Sequence, residues 1–176
     1  MYRNIRRFTA LQCEKCKGAA VGGKCLDCEA QSQHVSKHSK IDANNILETC
    51  DNIDILKQKE KILAKFLYKH HEVLATLRDT IAKVSVDNGC IKEALAMLEL
   101  SLDYTKARYG DNSIEFGHEL LKFSDVLFIS VQANGDSRQR TKLCDILQQA
   151  LLIFQLNYGS ESKLCKEIIE KLGLLK

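Results

Sequence analysis

The chain has 176 residues, 45% hydrophobic and 28% charged, with a net charge of +3, the balance of a globular protein with room for one ordinary domain and a small appendage. No stretch approaches the roughly 18–20 apolar residues that span a bilayer, and residues 1–12 carry three Arg without an apolar run of signal-peptide length. That places the expected location in cytoplasm and nucleus, where disulfides are rare.

Residues 1–40 hold eight Lys/Arg and three Asp/Glu, a charge of +5, against −2 for the remainder. The excess surrounds a cysteine-rich segment. Beyond Tyr2 and Phe8 no aromatic residues interleave with it to stack on bases, which weighs against nucleic acid and leaves a nucleic-acid-binding ribbon as the third reading.

Residues 8–30 are rich in Cys and Gly, show no helical period and are too short to build a core, so they need a staple. Cys13 and Cys16, then Cys25 and Cys28, form two Cys-x2-Cys pairs separated by eight residues. A two-residue spacer lets both thiols of a pair face one ion, and two pairs supply the four soft ligands of a tetrahedral zinc site. Gly18 and Gly22-Gly23 suit tight turns, and Lys15, Lys17 and Lys24 offset thiolate charge. Disulfides would need an oxidising compartment, and a redox Cys-x-x-Cys centre needs only one pair. Four cysteines close the shell and leave no place for a reactive water, so the zinc is structural. Its removal is expected to unfold residues 8–30 and leave most of the helices.

From about Ile41 the pattern is helical, and no Pro interrupts it. The spacing predicts helices over 41–48, 52–69, 72–86, 90–109, 112–131, 137–157 and 160–174, broken at Asn88-Gly89, Gly110-Asp111, Asn134-Gly135 and Gly159-Ser160. Tyr109-Gly110 and Tyr158-Gly159 recur 49 residues apart, and at the same offset Leu98 matches Leu147, Leu102 Leu151, Thr105 Phe154 and Ser113 Ser162. Leu95, Leu98, Leu102 and Tyr109 form one stripe; Leu147, Leu151, Phe154 and Tyr158 form another. Each ends at a Gly where a helix finishes left-handed. Asn112 and Glu115 read as the cap and reciprocal partner of the next helix. Ala94, Leu98 and Ser101 have the small-large-small spacing of a tetratricopeptide helix, which Leu143, Leu147 and Ala150 echo.

The expected fold is therefore all-α, an antiparallel tetratricopeptide-like helical array preceded by a four-cysteine zinc ribbon. The expected domains are residues 1–30 and 31–176. Cys50, Cys90, Cys144 and Cys165 read mostly as buried, inert thiols. His34 and His38 lack partners for a second metal site, His70 and His71 read as surface residues, and His118 as a packing or helix-dipole residue. No phosphate-binding Gly loop or nucleophile elbow is present, and no catalytic residue is assigned. Lys92, Lys106, Asn112 and Lys122 are available to a ligand carboxylate, with solvated surface as their default.

The run Ser113-Ile114-Glu115-Phe116-Gly117-His118-Glu119-Leu120-Leu121-Lys122-Phe123, followed by Leu127-Phe128, resembles the C-terminal helical domain of the SET and MYND domain-containing proteins. Glu93-Ala94-Leu95, Tyr104 and Tyr109-Gly110 fit the same domain, and the resemblance covers about residues 10–174. It implies a parent protein-lysine methyltransferase that uses S-adenosylmethionine, with a tetratricopeptide-like domain packed against the SET lobe. It also implies a protein or peptide partner, either a heat-shock chaperone or the SET lobe itself. The SET cofactor motifs and the MYND cysteine/histidine array are absent from this chain, so S-adenosylmethionine is not expected to bind these residues. The family's Cys-x-Cys-x2-Cys cluster would place Leu11 where its first cysteine stands. That cluster is therefore expected upstream, with Cys13 to Cys28 a separate ribbon.

Overall fold

The computed structural model describes residues 6–31, 52–134 and 136–175. The helix expected over 41–48, together with His34, His38 and Cys50, lies outside them. The chain packs as two units, residues 1–84 and 85–176.

The first unit opens with a 3-10 turn, Arg6–Thr9, and three short strands, β1 (Leu11–Gln12), β2 (Ala19–Val21) and β3 (Lys24–Cys25). They form one antiparallel sheet in the order β1-β2-β3. Val21 pairs with Lys24, and the intervening Gly22 and Gly23 have φ of 59° and 83°. Two consecutive positive φ values are what a tight two-residue hairpin demands, and Gly meets the demand without steric cost.

Helices α1 (Ile53–Leu63) and α2 (Glu72–Asp87) follow. Asn52 caps α1, its side chain accepting from the Asp54 and Ile55 amides at 3.0 and 3.3 Å. The expected helix over 52–69 stops at Leu63 because the next residues are drawn into the sheet. Leu11 and Leu67 form an antiparallel bridge, with Gln12 N–H donating to Phe66 O at 2.7 Å and Tyr68 N–H to Ala10 O at 3.0 Å. Leu67 and Tyr68 are buried there. Tertiary pairing has overridden local helical spacing.

Arg78 of α2 holds this region together. Its Nε donates to Glu60 Oε1 of α1 at 2.9 Å, and a terminal nitrogen lies 2.9 Å from the same oxygen. Its other terminal nitrogen donates to Lys69 O at 3.0 Å. The Arg78 and Glu60 side chains are only 8% and 18% exposed, so this ion pair is largely shielded from water.

The second unit contains α3 (Ile91–Tyr109), α4 (Ile114–Asn134), α5 (Ser137–Tyr158) and α6 (Lys163–Gly173). Each packs on the next in sequence. Gly117, early in α4, faces Ile153 and Phe154 late in α5, whereas Ser130, late in α4, donates to Gln139 early in α5 at 2.9 Å. The two helices therefore run antiparallel, and the fold is the expected helical array with a small ribbon at its N-terminal side in sequence.

The 49-residue repeat is carried by burial. Ala94, Leu98, Ser101 and Thr105 line the buried face of α3, and Leu143, Leu147, Ala150 and Phe154 line that of α5. The expected stripes differ in part: Tyr109 and Tyr158 are 47% and 49% exposed, and Leu95, Leu102 and Leu151 only half-buried. The inter-helix turns repeat closely. Gly110 and Gly159 have φ/ψ of 92°/163° and 83°/155°, and their amides donate to Lys106 O and Gln155 O. This is a mirror-extended conformation, not the left-handed helical finish expected from sequence. The cap of α4 is Ser113, not Asn112: its Oγ accepts from Phe116 N–H at 3.2 Å, as Ser162 Oγ accepts from Cys165 N–H at 3.4 Å.

Candidate metal centre

The ribbon is built from two similar halves. Cys13 and Cys16 in the first correspond, twelve residues on, to Cys25 and Cys28 in the second. Cys13 N–H donates to Gly18 O at 2.8 Å, and Cys25 N–H donates to Ala30 O at 2.9 Å. Lys17 and Glu29, each just after a half's second cysteine, have positive φ of 63° and 59°. These closed loops point both thiols of a pair the same way. The backbone also donates to sulfur, Gly18 N–H to Cys16 Sγ and Asp27 N–H to Cys25 Sγ, each at 3.4 Å. Such N–H···S contacts stabilise a thiolate ligand.

The four Sγ atoms all lie within 4.8 Å of one another, the only convergence of three or more candidate ligands among the described residues. Across the two halves, Cys13 and Cys28 are 3.8 Å apart and Cys16 and Cys25 3.5 Å. A tetrahedron with Zn–S bonds of about 2.3 Å has sulfur–sulfur edges of about 3.8 Å, so these two separations are consistent with a four-thiolate zinc site. Cys13 and Cys25 are buried, Cys28 half-buried and Cys16 exposed.

The sheet explains the placement. Successive strand residues face opposite sides. Ala20 of β2 packs with Cys13 and Cys25 on the cysteine face, and Ala19 packs with Ala10 and Tyr68 on the other. Asp27 ties the second loop to the first: its carboxylate accepts from Arg7 at 2.5 Å and from Ala19 N–H at 3.1 Å. Burial opposes ionisation of Asp27, but Arg7 and the Ala19 amide hold its carboxyl below the usual range. Gly18 is required beside it, since a Cβ there would sit 2.2 Å from Asp27 Oδ2.

The thiols titrate unequally. The Cys16 amide, with smaller help from the Lys15 amide and the Cys25 and Cys28 thiols, outweighs burial and pulls Cys13 down to about 7. At Cys16 the Gly18 amide favours the thiolate. Hydrogen bonding from Cys28 and Cys25, burial and Cys13 together overcome it and push Cys16 up to about 12. Four neighbouring sulfurs cannot all carry charge without a cation among them.

The other sequence-selected residues do not join this site. His70 is buried, its ring edge-on to Tyr68 at 5.4 Å, and is not the surface residue expected. His71 Nδ1 accepts from Val73 N–H at 3.1 Å at the start of α2, and burial lowers its pKa against the opposing influence of Glu72. His118 packs edge-on against Phe154 at 5.0 Å. Cys165 is buried, Cys144 half-buried and Cys90 exposed, so Cys90 is not the buried thiol read for most of this set. Cys90 borders an open cavity of about 450 Å³ with Lys92, Glu93 and Ser130. Lys106 and Lys122 pair with Asp111 and Glu119. Among the described residues, no helix is long and apolar enough to cross a membrane.

No protein-family model matches the chain. It is similar to curated proteins named protein-lysine N-methyltransferase SMYD4, a SET and MYND domain protein. The identity is 28% to that of Mus musculus over 69% of the chain. It is 30% to that of Gallus gallus over 60% of the chain, and 24% to that of Homo sapiens over 69%. The chain spans 17%, 13% and 17% of the lengths of these three proteins.

Proposed function

We propose that this chain is a non-catalytic C-terminal interaction module of a SET and MYND-type protein-lysine methyltransferase, its ribbon folded around one structural zinc ion at Cys13, Cys16, Cys25 and Cys28. The observation that carries the reading is the closed set of four sulfurs at zinc-ligand spacing in a chain whose relatives are SMYD4 proteins. A closed thiolate shell lacks the open position that a catalytic zinc uses. The tetratricopeptide-like spacing of the helices suits an extended protein or peptide partner, either a chaperone tail or the SET lobe of the same enzyme. Cytoplasm and nucleus are the proposed compartments, because thiolate ligands persist where thiols stay reduced.

The name of the relatives favours one alternative, in which the chain completes an S-adenosylmethionine-dependent methyltransferase whose SET domain lies outside these residues. The test uses the purified full chain. Native mass spectrometry is expected to show one zinc ion, and titration with labelled S-adenosylmethionine to show no saturable binding. A metal-free, folded ribbon would defeat the zinc reading. Saturable cofactor binding would defeat the non-catalytic one. Increased lysine methylation on adding the chain to a separate SET lobe would favour the alternative.

A further inference from the structure

The ribbon does not end at its own last strand. β1 leads directly into Cys13, and residues 10–12 pair with the connection between α1 and α2 through Gln12 N–H to Phe66 O and Tyr68 N–H to Ala10 O, on either side of the Leu11–Leu67 bridge. The Tyr68 side chain closes the face of β2 opposite the sulfurs, against Ala10 and Ala19. One residue further, Lys69 O accepts from Arg78, which also holds Glu60. A continuous chain of backbone and buried side-chain bonds thus runs from a metal ligand to the packing of α1 on α2.

We propose that metal occupancy at the four cysteines is thermodynamically coupled to the order of the α1–α2 connection, residues 64–71, and through Arg78 to the α1–α2 pair. The proposal rests on the metal reading above. The fully buried members of the ribbon's two apolar clusters are alanines and cysteines, with Tyr68 supplied by the connection and only the half-buried Val21 and Leu26 packed beside it. Without an ion the ribbon lacks a core able to hold β1 in register. Residues 66–68 are outside any helix, so the Tyr68 N–H depends on Ala10, the residue leading into β1, for its acceptor. Loss of the ion therefore opens the connection rather than stopping at residue 30. Linkage requires the converse: a connection that holds β1 in place tightens metal binding by the same factor.

The experiment compares hydrogen exchange of the full chain with zinc and after chelation. The amides of residues 66–70 are expected to lose about tenfold or more in protection, within the usual range of coupling between sites. In parallel, Tyr68→Ala is expected to weaken zinc about tenfold in competition with a chromophoric chelator. The cobalt-substituted variant should retain the thiolate charge-transfer intensity of wild type, showing that all four ligands remain. Unchanged protection at 66–70 in the wild type overturns the coupling whatever the variant does, as does a Tyr68→Ala affinity equal to wild type. Failure of the wild type to give a thiolate–cobalt band is a different result, and overturns the metal reading itself.

Discussion

Arg78→Met tests how the first unit is held together. The substitution keeps much of the apolar stem and removes three contacts, two with Glu60 Oε1 at 2.9 Å and one with Lys69 O at 3.0 Å. Breaking one side of a buried ion pair costs about 3–5 kcal/mol, because the remaining charge stays desolvated. Glu60 is 18% exposed and so recovers some hydration; the lower end, about 3 kcal/mol, is expected. Replacing both partners in Arg78→Met/Glu60→Met removes the stranded carboxylate and leaves mainly the lost bond to Lys69 O, about 1 kcal/mol. The double variant should therefore be about 2 kcal/mol more stable than the single one. Urea unfolding of the zinc-saturated protein, read by hydrogen exchange at α1 and α2 amides, isolates this unit. With a slope of about 1.5 kcal/mol per molar urea, the single variant's midpoint falls by about 2 M. A single variant within about 1 kcal/mol of wild type refutes the clamp. A double variant no more stable than the single refutes the stranded-charge argument.

Zinc uptake at pH 8 should release the proton that Cys16 retains, since that thiol is pushed up to about 12 while Cys13 is already down at about 7. Lightly buffered titration with a pH indicator reads it, and uptake without proton release sinks the ligand assignment. Gly18→Ala drives a Cβ into Asp27 and should cost about 1–3 kcal/mol and weaken zinc, whereas Gly22→Ala, with open space around its Cβ, should lose only about 1 kcal/mol to torsional strain. Chelator competition and thermal melts rank the two, and equal effects contradict the steric reading. Burial holds His71 below the ordinary histidine value of 6.5; the unfolded chain therefore binds more protons in the window just under 6.5, and stability contributed at higher pH is lost as pH falls through it. His71→Asn keeps a side-chain acceptor for the Val73 amide and removes the titration, so the difference in stability between wild type and variant should change between pH 7 and pH 5, about the range in which histidine titrates. A pH-independent difference refutes it.

The four-cysteine cluster was legible because a two-residue spacer leaves few options for a pair of thiols, and the structure brings the same four thiols together. The α3–α6 helices were legible because Gly110 and Gly159 punctuate a strong apolar period. The end of α1 was not, since Leu63 and Leu67 sit at helical spacing and only the pairing with Leu11 pulls the second into extended backbone. His70 was misread for the same reason: its burial comes from that non-local turn beside Tyr68. The cap at Ser113 was missed in favour of its neighbour Asn112, although the match with Ser162 was already visible in the repeat. The twelve-residue likeness of the two ribbon halves was also present in the cysteine spacing, but what the halves share is backbone hydrogen bonding, which residue types alone do not display. The link to a methyltransferase rests on resemblance, because zinc ribbons and helical arrays serve many functions.

The two Gly-x2-Ser turns carry a consequence for mutational tolerance. A Cβ at Gly110 or Gly159 would meet nothing within 4 Å, so by crowding alone these are among the easiest positions to replace. Their torsion angles say the opposite. A φ near 90° with ψ near 160° lies in territory essentially reserved for glycine, and even asparagine, which accepts the left-handed helical region, is unsuited to it. A saturation scan of the array should therefore find two exposed, uncrowded positions as intolerant as the buried core, for reasons of backbone torsion rather than packing.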